Sequence, residues 1–478
     1  MNRVRSIAIL GVIGLAACAE PPVSPIPSAA AHLVTRSIQG AGDGYVIIGK
    51  SEKLPSTLAA DVAAAGGVLV SSHPDIGVAY AQSSSTNFRR SLSKHGAIES
   101  VTPDHVLEWV SPTAARESAD VSAEVASIGD NEGLYPLQWA PAAVQAPEAW
   151  NAGYTGRGVR VAILDGGIHS AHIDLASNLD VAASKSFAEG AYNEDVGTFW
   201  HGTHVAGIVA AADNSFGTIG IAPNATLIGV KVLHNGSGAF SWIINGIMYA
   251  GTPQSEGGAG ANIINMSLGA KLDDKDKETK ADIRELKKAV DRAMKYAHQR
   301  GTTIIVSAGN GGLNYDDEKN LFKTPAQNDY AISVSATGPH GWALGASNFE
   351  RPTYYTDHGK SLVTLAAPGG TDGLFVVDGV DQLCVVGGIQ RFCEVFDMVF
   401  STVRGGASST GAYNWAYGTS MAAPMVSGIA ALIIEKNGGR MHPEQVRTRL
   451  EQSALDLGKP GNDKYYGGGW VNALRAIQ

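Results

Sequence analysis

Positive charge is scarce in this sequence: 36 Lys and Arg stand against 45 Asp and Glu, a formal net charge of -9. The basic footprint of a nucleic-acid-binding protein is missing, so no nucleic-acid partner is expected. Charged residues of either sign reach only 17 % against 44 % apolar, which excludes a mostly disordered or coiled-coil chain. Cysteine occurs three times in 478 residues, far below the density of a disulfide-built scaffold. Beyond the N-terminus there is no run of about 18 uninterrupted apolar residues, so no later segment reads as a membrane-spanning helix. What the sequence has is length and glycine, 478 residues with 58 Gly, enough for roughly three domains and a sizeable core.

The first residues are built differently from the rest. Arg3 and Arg5 precede an apolar run over residues 7–17, the pattern of an export signal and too short to cross a bilayer. The run ends Leu15-Ala16-Ala17-Cys18, which resembles a bacterial lipobox. That resemblance implies cleavage before Cys18 and acylation of its thiol and new amine, and several acyl chains anchor stably where one does not. Ala19 rather than Asp after Cys18 favours outer-membrane sorting in a two-membrane cell. Ala17-Cys18-Ala19 also fits ordinary secretion with cleavage before Glu20. Cys384 and Cys393 remain, and in an exported chain a nearby pair forms a disulfide, here a local staple contributing roughly 3 kcal/mol. The alternative is two buried thiols.

Texture divides the remainder. After the signal at 1–17, residues 18–44 are rich in Pro, Ser and Ala and read as a flexible tether. Residues 45–110 alternate short apolar strands with two helical stretches in the order βαββαβ, a small α+β, ferredoxin-like domain. Residues 111–133 are polar with few aromatics and read as an exposed, cleavable linker. From 134 to 478, apolar strand runs alternate with helices, predicting an α/β fold with a parallel sheet covered on both faces. Ile283, Leu286, Val290, Met294 and Ala297 fall at helical spacing, a core stripe. The charged stretch 273–280 reads as a solvated insertion.

Three elements carry chemistry. The apolar strand 159–164 delivers Asp165 at its C-terminal end, where open α/β sheets place their sites, and Gly166-Gly167 permits a sharp turn. His201-Gly202-Thr203-His204-Val205-Ala206-Gly207 sets a histidine at the start of a small-residue helix, and Tyr417-Gly418-Thr419-Ser420-Met421-Ala422-Ala423-Pro424 does the same for a serine. At a helix start, the positive dipole end and free N–H groups favour developing negative charge. Pro424 is expected to be harmless because the first turn has no use for its missing N–H.

With these motifs the chain resembles the subtilisin-like serine proteases, or subtilases, over residues 135–478. The family's chain order is Asp, His, Ser, and the resemblance implies the triad chemistry. Ser420 is the implied nucleophile, His201 the general base and then acid, and Asp165 the group that orients His201. Ser307-Ala308-Gly309-Asn310 is similar to the oxyanion motif, implying that the Asn310 amide and the Ser420 N–H hold the oxyanion. Ser267-Leu268-Gly269 is similar to the segment on which the substrate backbone is laid as an added strand. Ser307 and Gly309 belong to the same cleft. The 45–110 segment resembles the inhibitory propeptide, which would act as chaperone and inhibitor, with cleavage between about 108 and 134.

The resemblance also implies a structural calcium ion, with Ala212, Asn214, Phe216 and Thr218 in a loop after the histidine helix and Asp174 as partner carboxylate. Such oxygen donors suit a hard cation; the alternative is an ordinary polar turn built on Asn214 and Gly217. His169, His172 and Asp174 also lie close in sequence, and a strand-end turn rather than zinc is expected there. Two departures stand out: Gly166 replaces the usual Ser or Thr after the aspartate, and the spacing from Asn310 to Ser420 is long. The expected function is a secreted or surface-anchored serine endopeptidase made as a precursor. Two other readings remain open, a non-catalytic binding protein on the same scaffold and an ester hydrolase using the same nucleophile.

Overall fold

The computed structural model describes residues 43–110, 118–119, 131–194, 200–273, 280–318, 320–405 and 410–478. The export signal, Cys18, the tether up to residue 42 and most of the expected linker lie outside the described residues.

The N-terminal unit runs β1 (Asp43–Gly49), α1 (Leu58–Ala64), β2 (Val68–His73), β3 (Val78–Ser83), α2 (Phe88–Leu92) and β4 (Ile98–Pro103). Its strands form an antiparallel sheet in the order β2-β3-β1-β4. Alternation sorts the side chains, since successive residues of a strand face opposite sides. Ile47, Val62, Ala79, Phe88 and Val101 build the unit's own core, while Val46, Ile48 and Val78 join the core of the larger unit. A short strand, β5 (Val106–Glu108), then leaves the sheet.

The larger unit holds a seven-stranded parallel sheet. Its strands are β6 (Arg160–Asp165), β7 (Lys185–Ser186), β8 (Thr226–Lys231), β10 (Ile263–Met266), β12 (Thr303–Ser307), β14 (Ala331–Thr337) and β15 (Leu365–Pro368), with β9 (Ser237–Ala239), β11 (Ala270–Asp273) and β13 (Leu321–Thr324) outside it. In space the order is β15-β14-β12-β10-β6-β8-β7. The central strands are buried along nearly their whole length, as a sheet covered on both faces requires. Val161, Ile163, Ile263 and Ile305 face helices α3 (His201–Ala210) and α6 (Thr419–Lys436). Ala162, Leu164, Ile264 and Ile304 face α4 (Phe240–Gly251) and α5 (Lys280–Gln299). Leu286, Val290, Met294 and Ala297 of the expected stripe on α5 are buried, and Ile283 packs at its margin.

Charged pairs hold the N-terminal unit on α5: Glu99 meets Lys288 at 2.7 Å and Arg292 at 2.9 Å, and Arg89 meets Asp282 at 2.7 Å. Cys384 and Cys393 form the expected disulfide across a hairpin of β16 (Leu383–Val386) and β17 (Ile389–Phe392). No helix among the described residues is long and apolar enough to cross a membrane.

Candidate active site

Asp165 ends β6, and its side chain is only 2 % exposed. The Gly166 N–H donates to Oδ1 at 2.7 Å, so the backbone orients the carboxylate where the family's hydroxyl is absent. Lys231, at the end of the neighbouring β8, is wholly buried and donates to the Gly166 carbonyl at 2.5 Å and the Glu194 carbonyl at 2.6 Å. It pins the turn that follows Asp165. His201 opens α3 and turns Nδ1 to Asp165, at 2.8 Å from Oδ2 and 3.0 Å from Oδ1. A carboxylate on Nδ1 fixes the tautomer and leaves Nε2 as the working nitrogen.

Helix α3 packs against α6, which carries Ser420 at its second position. The Ser420 hydroxyl donates to the Ser267 carbonyl at 3.2 Å, and the Ser267 hydroxyl donates to the Ser420 carbonyl at 2.8 Å. Pro424 lies five residues beyond the first residue of α6, past the first turn, so the expected reason for its tolerance is wrong. Without an N–H it cannot bond the carbonyl four residues back, which is that of Ser420. The Ser267 hydroxyl takes that place. Asn265 completes the support by donating to Ser267 Oγ at 3.0 Å and accepting from Ser427 Oγ at 2.9 Å.

Asn310 reaches the same helix start. Its Oδ1 accepts from the Thr419 N–H at 2.9 Å and the Thr419 hydroxyl at 2.8 Å, which commits the amide NH₂ to the opposite side. Thr419 Oγ1 in turn accepts the Gly309 N–H at 3.0 Å. Gly309 has φ +117° and Gly418 φ +150°, and a side chain on Gly418 would approach the Asn310 amide nitrogen to 3.2 Å. Both positions need glycine for conformational reasons. Ser307 ends β12 beside this loop.

The segment Ser267-Leu268-Gly269, expected to receive the substrate backbone, is already engaged. Leu268 is buried in the core, and the Gly269 N–H donates to the Trp109 carbonyl at 3.0 Å. On the other side β5 pairs antiparallel with β9, and the Trp109 and Val110 N–H groups donate to the Gly236 carbonyl. The Trp109 ring lies against Phe240, with its indole N–H on the Gly238 carbonyl at 2.8 Å. Residues 106–110 thus lie between the two edges where an extended peptide would add.

Residues 156–469 match the Subtilase family, Peptidase_S8. The chain belongs to the subtilase family. Subtilisin E of Bacillus subtilis (strain 168) is 35 % identical over 340 residues, 70 % of each chain. A subtilisin of Bacillus pumilus is 34 % identical over 340 residues, covering 70 % of this chain and 96 % of that one. The solved epidermin leader peptide processing serine protease of Staphylococcus aureus superposes with a TM-score of 0.66 over 91 % of this chain and 97 % of its own. At 20 % identity that likeness speaks for the fold alone. The protein is a serine-type endopeptidase of the subtilase type.

The residues expected to hold calcium do come together, but as a hydrogen-bonded turn. Asp174 Oδ2 accepts from the Thr218 N–H at 2.9 Å and the Thr218 hydroxyl at 3.2 Å, and Oδ1 faces the Asn214 amide nitrogen at 3.4 Å. The Asn214 oxygen is taken by the Phe216 N–H at 2.9 Å, and the Ala212 N–H bonds the Asp174 carbonyl at 2.8 Å. The Asp174 carboxylate and the Asn214 side-chain oxygen are thus engaged by protein donors in this arrangement. Among the described residues no cluster of three or more His, Cys, Asp or Glu could hold a metal. His172 and His204 instead bond the Ala412 and Asn414 carbonyls.

Thr419, Asn265 and Lys231 were not singled out by the sequence. Thr419 sits inside a quoted motif and Lys231 interrupts the apolar run 227–233, so both could have been flagged as buried polar groups. Asn265 lies in the apolar run before Ser267, and its polarity there is the only signal.

Proposed function

We propose that this subtilase hydrolyses peptide bonds through an acyl-enzyme, with Ser420 as nucleophile, His201 as base and acid, Asp165 as its orienting carboxylate and Asn310 as oxyanion donor. The observation that carries the proposal is a pair of hydrogen-bonded sets carried by two helices packed on each other. Asp165 holds His201 by Nδ1, and Thr419 turns the Asn310 amide outward beside Ser420. A substrate laid along Ser267-Leu268-Gly269 would present its carbonyl carbon to Ser420 Oγ. The hydroxyl would rotate away from the Ser267 carbonyl and pass its proton to His201 Nε2 as the carbon–oxygen bond forms. The oxyanion would be held by the Asn310 amide and the Ser420 N–H, one of the four N–H groups that a helix start leaves without intrahelical partners. His201 then returns the proton to the leaving amine, and water attacks the ester by the same route. No step of this reading runs through calcium.

The same reading makes residues 45–110 an inhibitory propeptide whose end occupies the cleft, with cleavage by the enzyme itself in the segment that follows Val110. Export and lipidation at Cys18 complete it. Cutting the linker would detach the lipid with the propeptide, releasing the protease from the envelope unless the two parts stay associated. Intact mass of the exported wild type and Ser420→Ala tests both ideas. The wild type should yield a fragment beginning between about 109 and 134, without lipid, and Ser420→Ala should keep its propeptide. Equal processing of both, or a full-length wild type, overturns self-cleavage; lipid on the catalytic fragment overturns release.

A further inference from the structure

The cleft contains a charged pair that neither the triad nor the backbone contacts use. Lys323, on β13, is 8 % exposed, and its ammonium lies 3.2 Å from Oδ2 of Asp357, itself 1 % exposed. Asp357 Oδ1 accepts the Gly311 N–H at 2.9 Å and the Leu313 N–H at 3.1 Å, and its own N–H donates to the Gly309 carbonyl at 2.8 Å. The pair is therefore tied to the loop that carries Asn310. Strand β13 is antiparallel to β11, with Lys323 opposite Lys271 and Thr324 opposite Ala270, directly after Gly269.

Two glycines show where the lysine ends. A methyl group on Gly309 would sit 2.3 Å from Lys323 Nζ and 2.2 Å from Asp357 Oδ2, and one on Gly269 would sit 3.3 Å from Lys323 Cε. The tip of the lysine thus fills the space between the peptide-laying segment and the oxyanion loop. On the function proposed above, the acyl carbon lies at Ser420, its oxygen at Asn310 and its backbone along 267–269. The side chain of the residue just before the scissile bond must then enter between these same two walls.

We propose that Lys323 and Asp357 form the floor of the pocket for that residue and select short, neutral, hydrogen-bonding side chains such as Ser, Thr and Asn. An ammonium has three N–H donors, and Asp357 is its one partner among the described residues. A hydroxyl or carboxamide satisfies a remaining donor. An aromatic or aliphatic side chain would instead seal the ammonium against an apolar surface. A basic side chain meets like charge, and an acidic one must share a single ammonium with the buried Asp357 carboxylate. This inference rests on the proposed nucleophile and oxyanion site.

The test uses the processed enzyme and peptides that differ only in the residue before the scissile bond. Wild type should show kcat/KM for Ser, Thr and Asn at least about tenfold above Phe, Leu, Lys and Glu. The double variant Lys323→Met/Asp357→Asn, which leaves no unpaired buried charge, should reverse the order of Ser and Leu. A wild-type preference for aromatic, aliphatic, basic or acidic residues overturns the proposal, as does an unchanged profile in an active variant. Should the variant not fold, the wild-type profile alone decides. Labelling of Ser420 by a fluorophosphonate, run in parallel, separates the two failures. A labelled enzyme with the wrong profile sinks the pocket alone, and an enzyme whose Ser420 does not label sinks the function beneath it.

Discussion

His172 shows how much one buried side chain can bind stability to pH. Its Nδ1 accepts the Asp174 N–H at 3.1 Å and its Nε2 faces the Ala412 carbonyl at 3.0 Å, which requires the neutral ring. Burial pushes its pKa down to about 4. The unfolded value of about 6.5 is higher, so between pH 4 and 6.5 the unfolded chain binds more protons and stability falls as pH drops through that window. The shift corresponds to about 3 kcal/mol. Asp174, raised to about 6 by burial, acts oppositely, its contribution being lost as pH rises through the range from about 4 to 6. His172→Gln keeps a donor and an acceptor but cannot titrate. Its Tm should therefore fall less than that of the wild type between pH 7 and 4.5, and an equal or larger fall would refute this assignment.

At the scale of elements, the start of α6 is where side chains substitute for helix geometry. Pro424 removes the N–H that would bond the Ser420 carbonyl, and Ser267 supplies the donor from a different strand segment. Ser267→Ala should cost about 1–3 kcal/mol, the penalty of a buried carbonyl left unsatisfied, and lower kcat with it. Adding Pro424→Ala restores a helical N–H, so the double variant should recover stability relative to Ser267→Ala in denaturant unfolding. Additive losses would show that the two residues are not coupled in this way. The elements themselves were legible in the sequence. The strand before Asp165 and the helices after His201 and Thr419 are written in apolar runs and small residues within a few positions of each other. The partners that tune them were not, because Asn310 with Thr419, Ser267 with Ser420, and Lys323 with Asp357 meet across tens to hundreds of residues. Which donors claim the Asp174 and Asn214 oxygens was not legible either, because oxygen-bearing residues in a loop do not show it. The disulfide was legible because nine residues of separation leave a hairpin as a natural closure.

In the molecule as a whole, the N-terminal unit lies on α5 through ion pairs and a shared apolar face, while residues 106–110 fill the space between β9 and Gly269. Side-chain pairs so exposed contribute little individually, so the apolar face and the strand pairing carry the association. If the chain matures by the proposed self-cleavage, the placement of residues 106–110 also sets the reaction order of that step. On the self-cleavage proposed above, the first cut should be unimolecular, because residues 106–110 and Ser420 belong to one chain, and its half-life should not change when the precursor is diluted. Later digestion of the detached unit by other copies is bimolecular and should slow in proportion. A dilution series followed by gel separates the two phases: a first cut whose half-life lengthens on dilution would mean that precursors open one another, and that the strand in the cleft waits for a second molecule.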